Sequence, residues 1–356
     1  MALQVAHYFM SLRMDCTSDY HCTSGYQRWG RYNRTLMGQC NGGTGGGDRI
    51  AVLTGCRLAT GAGNDASFSR GERMAEGLAG RLHDKVAVVT GASRGVGKGV
   101  ALGLGEAGAK VYVTGRTTDP LPYVAGTIHE TAAEVSHLGG RGIALVCDHS
   151  DDRQVESAFQ RVLDVEGRID LLVNAAWGGY ERMFDPEKGE FTWPLPFWMQ
   201  PLWRWDSMFD GGVRAAYVAS TLAARSMVAR GRGLIVNISF WAAKKYIGNV
   251  AYGASKAATD KMTRDMAEEL RPHGVAVVSL YPGLVRTERV MQAAAYLDLA
   301  NSESPVFTGR AVSALAADER VMERSGMEMV AAQLAREYGF TDVDGKQPVP
   351  LTVDTV

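Results

Sequence analysis

Residues 86–97 read VAVVTGASRGVG. The unbroken apolar run Val86–Val89 predicts a strand buried on both faces, since a half-exposed strand would alternate apolar and polar residues. Gly91, Gly95 and Gly97 follow in a turn, and Gly97–Ala107 carries a helical pattern closed by Gly108. A strand, a glycine turn and a helix start in that order make a cradle for phosphate. Glycine lets backbone approach the ligand closely, and the helix N-terminus offers free N–H groups and the positive end of its dipole. Ser93, Arg94 and Val96 complete the turn.

Further along the chain the pattern repeats. Strand-like runs occur at Lys110–Thr114, Gly142–Val146, Ile169–Asn174, Leu234–Ile238 and Val275–Leu280, with helical stretches such as Ala125–Leu138, Val155–Val165 and Ala251–Leu270 between them. Apolar strands alternating with helices predict βαβ units, and hence an α/β fold with a Rossmann-like, doubly wound parallel sheet in a single domain.

The end of the second strand bears on the choice of nucleotide. Sites for NAD place a carboxylate there to bind the ribose 2′-hydroxyl. Here the strand ends Val113-Thr114-Gly115-Arg116, and Arg94 lies in the turn beside it. Two guanidinium groups in place of a carboxylate suit a 2′-phosphate, so NADPH is expected rather than NADH.

A second pattern carries chemistry. Tyr252-Gly253-Ala254-Ser255-Lys256 sets a phenol and an ammonium four residues apart, on one face of a helix. An adjacent cation favours phenolate, so Lys256 is expected to lower the Tyr252 pKa and make it a general acid/base.

The T-G-x-x-x-G-x-G spacing and the Y-x-x-x-K pair together resemble the short-chain dehydrogenase/reductase family, from about Lys85 to Thr287. The resemblance implies a serine at the end of the strand before the catalytic helix, and Ser239 stands there, thirteen residues before Tyr252. It also implies an adenine contact at Asp148, a cofactor-side asparagine at Asn174, and a nicotinamide-binding segment Pro282-Gly283-Leu284-Val285-Arg286-Thr287, with Gly283, Val285 and Thr287 at the contacting positions. Oligomers, a homodimer or homotetramer, are usual in such proteins. Two departures stand out. The asparagine-rich motif after the fourth strand becomes Asn174-Ala175-Ala176-Trp177, and Gly212 occupies the position of a relay asparagine. Tyr252–Thr287, the long stretch between Trp177 and Trp205 and the ending Glu337–Gly345 further resemble a subfamily of reductases, and that resemblance implies NADPH-dependent reduction of steroid and xenobiotic carbonyls without that asparagine.

Phe191–Trp205 holds Phe191, Trp193, Phe197, Trp198, Trp203 and Trp205 among Pro194, Pro196 and Pro201. Proline at that spacing forbids a regular helix. Three fates remain open for these rings: walls of an apolar substrate pocket, a subunit interface, or packing of the loop onto its own domain. Glu288–Glu337 is helical in pattern, and by resemblance its start folds over the substrate. Cys147 reads as a small buried hydrophobe. His129, His137, His149 and His273 read as surface or loop residues without metal-ligand spacing.

Composition narrows the function classes. With 38 basic and 39 acidic residues in 356, the net charge of −1 sets up no field for nucleic acid. No apolar run is long enough for a membrane helix. Residues 1–73 hold Cys16, Cys22, Cys40 and Cys56 and are rich in glycine and arginine, unlike the remainder. They are expected to be a disordered extension, or to lie outside a native protein that starts at Met74, with residues 74–356 forming the enzyme domain. The expectation for the whole is a cytoplasmic NADPH-dependent oxidoreductase with no metal. It would act on a small-molecule carbonyl or alcohol, with Ser239, Tyr252 and Lys256 as its catalytic set. The rival readings are an NADPH-binding redox sensor and an isomerase or dehydratase on the same fold.

Overall fold

The computed structural model describes residues 80–120, 125–180, 192–193, 195–292 and 294–356. The expected extension 1–73 lies outside them. The strand β1 (Val86–Val89) runs through the phosphate turn into α1 (Gly95–Glu106), followed by β2 (Lys110–Gly115), α2 (Ile128–His137), β3 (Arg141–Val146), α3 (Asp152–Glu166) and β4 (Leu171–Asn174). The second half holds α4 (Leu202–Met208), a π-helical turn Phe209–Arg214, α5 (Ala215–Arg230), β5 (Gly233–Ile238), α6 (Val250–Leu270) and β6 (Val275–Tyr281). Then come β7 (Leu284–Val285), α7 (Glu288–Gln292), β8 (Ser302–Glu303), α8 (Pro305–Ala317), β9 (Glu328–Val330) and α9 (Ala331–Tyr338).

The main sheet runs β3-β2-β1-β4-β5-β6-β9, and every neighbouring pair is parallel. This is the doubly wound order expected from the strand–helix alternation. The strand order reverses between β1 and β4, and the crevice above their C-terminal ends is where ligands bind in such sheets. The seventh strand, β9, was not foreseen; three residues are too few to show a period.

Local chemistry explains the element ends. Thr127 and Glu130 form a reciprocal capping box at the start of α2. Asp151 caps α3 by accepting from the N–H groups of Arg153 and Gln154. The pleat of β1 divides the core: Ala87 and Val89 point into one apolar layer with α1, α2 and α8, while Val86 and Val88 point into the other with α3 and α5. Each of the buried valines contributes about 1.5–3 kcal/mol.

One contact ties the phosphate-turn helix to the C-terminal part of the chain. Helices α1 and α8 cross backbone to backbone through Gly99, Gly103 and Gly309, where any added side-chain carbon would fall inside the facing main chain. The Ser313 hydroxyl donates to the Gly103 carbonyl at the same crossing, at 2.9 Å. Overpacking of this kind costs about 1–3 kcal/mol or more. Gly309→Val is therefore expected to lower the unfolding free energy by that amount, read as a lower urea midpoint with the slope of the transition unchanged, and a wild-type midpoint would show that the crossing can spread freely.

Candidate active site

The cradle at the end of β1 is built as the glycine spacing predicted. Gly91 has φ +65°, and a side-chain carbon there would lie 2.6 Å from Ala176 Cα. Thr90 Oγ1 accepts from the N–H groups of both Ala175 and Ala176, at 3.0 Å each, which locks the end of β1 to the end of β4. Gly97 lies so near the Gly91 carbonyl that no side chain fits between them. The residues fit a dinucleotide: the three glycines put no side chain of their own into the cradle, and its Gly95 N–H already donates to an anion, the Glu288 carboxylate, at 2.9 Å.

The arginines flank this cradle. Arg94 donates from Nη2 to Thr117 Oγ1 at 3.2 Å and to the Gly126 carbonyl at 2.9 Å, and from Nε to the Ala125 carbonyl at 3.2 Å. Arg116 is half-exposed and pairs with Asp148 at 3.3 Å. Burial works to raise the Asp148 pKa, but the Ser150 hydroxyl and N–H, and then Arg116, hold it below the ordinary value. Asp148, Arg116 and Arg94 thus surround the end of β2. Ser93 is buried and Val96 packs against the core.

On the other side of the switch point, Pro282 and Gly283 follow β6, and Val285 pairs with Glu303 in the small β7–β8 sheet. The Thr287 side chain faces Gly95, which brings the Pro282–Thr287 segment onto the phosphate turn. Behind it Glu303 is buried, and burial pushes its carboxyl up to about 7.

The helix α6 carries Tyr252 and Lys256. Its start is held by Asn249, whose Oδ1 accepts from the Tyr252 N–H at 3.0 Å and whose Nδ2 donates to the Trp193 carbonyl at 3.3 Å. Lys256 Nζ donates to the Ile238 carbonyl at the end of β5, at 3.1 Å, and lies 4.2 Å from the centre of the Trp177 ring. Ser239 is buried one residue after Ile238, and its hydroxyl lies 3.5 Å from the Lys256 carbonyl. Ser239 and Lys256 therefore adjoin at the end of β5, with Tyr252 one turn before Lys256 on α6. Trp177, Tyr180 and Trp193 enclose Tyr252, with ring centres 5.8, 6.2 and 5.7 Å away.

The electrostatics differ from expectation on one point. The Tyr252 pKa is raised, not lowered: burial is the main cause, and the neighbouring Tyr180, hydrogen-bonded to it, adds to the effect. The Lys256 ammonium sits 5.9 Å from the centre of the Tyr252 ring, and burial outweighs its pull. Burial also brings Lys256 down to about 8, against an opposing pull from Asp260. Asp260 lies one further turn along α6, buried, accepting from the Tyr281 hydroxyl and close to Ser239 and Ser279.

Other expectations resolve as follows. The side chain of Asn174 is engaged inside the protein, donating to Ser220 Oγ at 2.9 Å and Asn237 Oδ1 at 2.8 Å. From there Asn237 reaches Thr263 on α6, and Ser279 joins the same hydroxyl, so the network braces β4, β5, β6, α5 and α6. The aromatic loop divides. Trp193 is buried against Tyr252, whereas Phe197, Trp198 and Met199 are exposed; Phe191 and Pro194 lie outside the described residues. His149 corrects its assignment to the surface: it is buried, bound to Thr114 Oγ1 at 2.7 Å, and driven by burial to a pKa of about 4, so it stays neutral. His129, His137 and His273 are exposed, as read. Cys147 is buried and its thiol pushed up to about 12, unreactive at neutral pH. Tyr180 and Asp260 went unmarked, and Trp177 was marked only as a departure from the asparagine-rich motif. The Asp260 spacing, i+4 from Lys256, was the one available signal.

A parallel switch-point crevice, a glycine phosphate cradle and a Ser–Tyr–Lys cluster define a nucleotide-dependent oxidoreductase. The short chain dehydrogenase family model matches residues 85–297, and the chain belongs to that family of NAD(P)-dependent oxidoreductases. It is 41% identical over 279 residues to mouse Dehydrogenase/reductase SDR family member 1 (74% of this chain, 85% of the relative). It is 30% identical over 209 residues to the 7alpha-hydroxysteroid dehydrogenase of Escherichia coli K12 (58% of this chain, 74% of the relative). Among solved structures, a short-chain type dehydrogenase/reductase from Mycobacterium marinum aligns with TM-score 0.57 and 30% identity, over 70% of this chain and 94% of that one. Among the described residues no helix is long and apolar enough to cross a membrane, and no cluster of metal-ligating side chains occurs.

Proposed function

We propose that the protein is an NADPH-dependent reductase of ketones or aldehydes, with apolar, steroid-like or xenobiotic carbonyl compounds as its substrate class. The observation that carries this reading is Tyr252 and Lys256 on α6 beside the end of β5 that bears Ser239, with Trp177 and Trp193 packed against the tyrosine. The likeness to two proteins named as a dehydrogenase/reductase and a hydroxysteroid dehydrogenase supports it.

Gly91, Ser93, Gly95, Val96 and Gly97 would hold the pyrophosphate through backbone, and Arg94 and Arg116 the 2′-phosphate. Asp148 would take the adenine, Lys256 the nicotinamide ribose, and Pro282, Gly283, Val285 and Thr287 the carboxamide, while Asn174, bonded inward to Ser220 and Asn237, would brace the floor of the cofactor site rather than touch the ribose. When bound, the cofactor supplies the hydride. The protein's own part is proton delivery and orientation. Tyr252 is protonated at neutral pH, as a phenol of ordinary pKa would be, and burial holds that proton still more firmly; this is the state needed to donate to a carbonyl oxygen. Ser239 supplies a second hydroxyl to orient that oxygen. The Lys256 ammonium stabilises the phenolate that donation leaves behind. Trp177, Tyr180 and Trp193 exclude water, which strengthens each of these interactions.

Three outcomes are expected. Tyr252→Phe should lower turnover of a ketone panel at least ~10²-fold while NADPH binding persists; retained turnover would remove Tyr252 from proton delivery. Arg116→Ala should erase a preference for NADPH over NADH of about 10–100-fold in kcat/KM, as expected for losing a charge-assisted bond; an unchanged ratio would place the 2′-phosphate elsewhere. Below about pH 8 Lys256 is charged, and above it the charge is lost. The kcat/KM for reduction should therefore fall as pH rises through that value, and a flat profile from neutral to alkaline pH would deny the ammonium its role.

A further inference from the structure

The surroundings of Lys256 contain one arrangement that the reaction reading does not use. Lys256 Nζ lies 4.2 Å from the centre of the Trp177 ring, and the edge of the same indole meets the Tyr252 ring at 5.8 Å with an interplanar angle of 68°. Trp177 thus touches both members of the pair on α6.

Three glycines make room for the indole. A side-chain carbon on Gly212, in the π-helical turn between α4 and α5, would lie 2.8 Å from Trp177 Cε3. One on Gly179 would lie 2.6 Å from Trp177 Cζ2. One on Gly178 would lie 2.5 Å from the Ser207 carbonyl, so the loop bearing the indole can press against α4 only without side chains. Between them these glycines leave the ring a slot, and the slot turns its face toward Nζ. Besides the Ile238 carbonyl, that face is the nearer of two aromatic surfaces beside the ammonium among the described residues, the Tyr252 ring lying at 5.9 Å.

We propose that Trp177 is a positioning residue for the reaction: its face holds the Lys256 ammonium by a cation–π contact, and Gly212 and Gly179 exist in this chain to admit it. A cation over a tryptophan face is stabilised most where water is excluded. The contact keeps the charge on the Tyr252 side of the pocket without a polar side chain from the π-helical turn. Gly212, the position at which the family likeness implies an asparagine, is thereby explained as clearance for the ring.

The proposal rests on the proton-delivery reading for its meaning but not for its test. In protein carrying isotope-labelled lysine, with the Lys256 signal assigned by its loss in Lys256→Met, the titration midpoint of Lys256 is followed by NMR. The groups facing that ammonium, Asp260 on its own helix and Tyr252 with Tyr180 bonded to it, are retained in every test variant. Trp177→Leu keeps bulk and removes the π face, and should move the midpoint down by about one pH unit. Trp177→Phe, which retains a face, should recover most of that shift. Gly212→Ala, which pushes on the ring without touching Lys256, should move it in the same direction as Trp177→Leu and gives a second handle should that variant fold poorly. Ketone turnover at neutral pH should fall several-fold in Trp177→Leu through kcat, with KM for NADPH unchanged. Wild-type midpoints in both Trp177→Leu and Gly212→Ala would overturn the proposal. A shifted midpoint in a protein that reduces no carbonyl would uphold the clamp and sink the reductase reading alone.

Discussion

The rest of the site hangs on a backbone-to-backbone contact between the ends of β1 and β4. Gly91 is pressed against Ala176, and Thr90 Oγ1 accepts two consecutive N–H groups from the strand opposite. Main chain admits no slack at such distances, so the start of α1 and the loop that leaves β4 become one rigid piece. The first carries the phosphate cradle and the second carries Trp177 and Tyr180. A fold of this class separates cofactor chemistry from substrate chemistry along its sheet, and this contact sets the distance between them.

Burial and charge pull against each other in the pocket, and the sequence neighbours of the pair decide the balance. Desolvation alone raises Tyr252 and lowers Lys256, which favours the neutral form of both. Asp260 opposes this for the lysine from one turn further along the helix, tied to Tyr281 and close to Ser239. The polar network from Asn174 through Asn237, Thr263 and Ser279 supplies the stiffness, since each member is buried and bonded across two or more elements. Proton chemistry in so dry a place depends on geometry being kept, and those bonds keep it.

Much of this was legible in the sequence. The run Val86–Gly97 stated strand, turn and helix together because glycine leaves a distinct mark wherever a main chain must come close. Tyr252 and Lys256 were legible because a helix turns two positions four apart onto one face. Trp177 was not, since its partner at Gly212 lies on another element and an absent side chain carries no pattern of its own. Nor was the direction of the Tyr252 shift, which depends on Trp193 and Tyr180 arriving from loops with no periodicity. His149 was misjudged for a related reason: a histidine after a strand reads as loop, and the Thr114 hydroxyl that buries it belongs to the neighbouring strand.

The tryptophans that dry the pocket also make it self-reporting. Trp177 and Trp193 both stand within 6 Å, ring centre to ring centre, of the tyrosine at which a substrate would be reduced. Indole emission overlaps the absorption of a reduced nicotinamide, so excitation energy would pass from these rings to a cofactor lodged beside them. Filling and emptying of the crevice should therefore be visible as a change of colour in ultraviolet light, with no label attached to the protein.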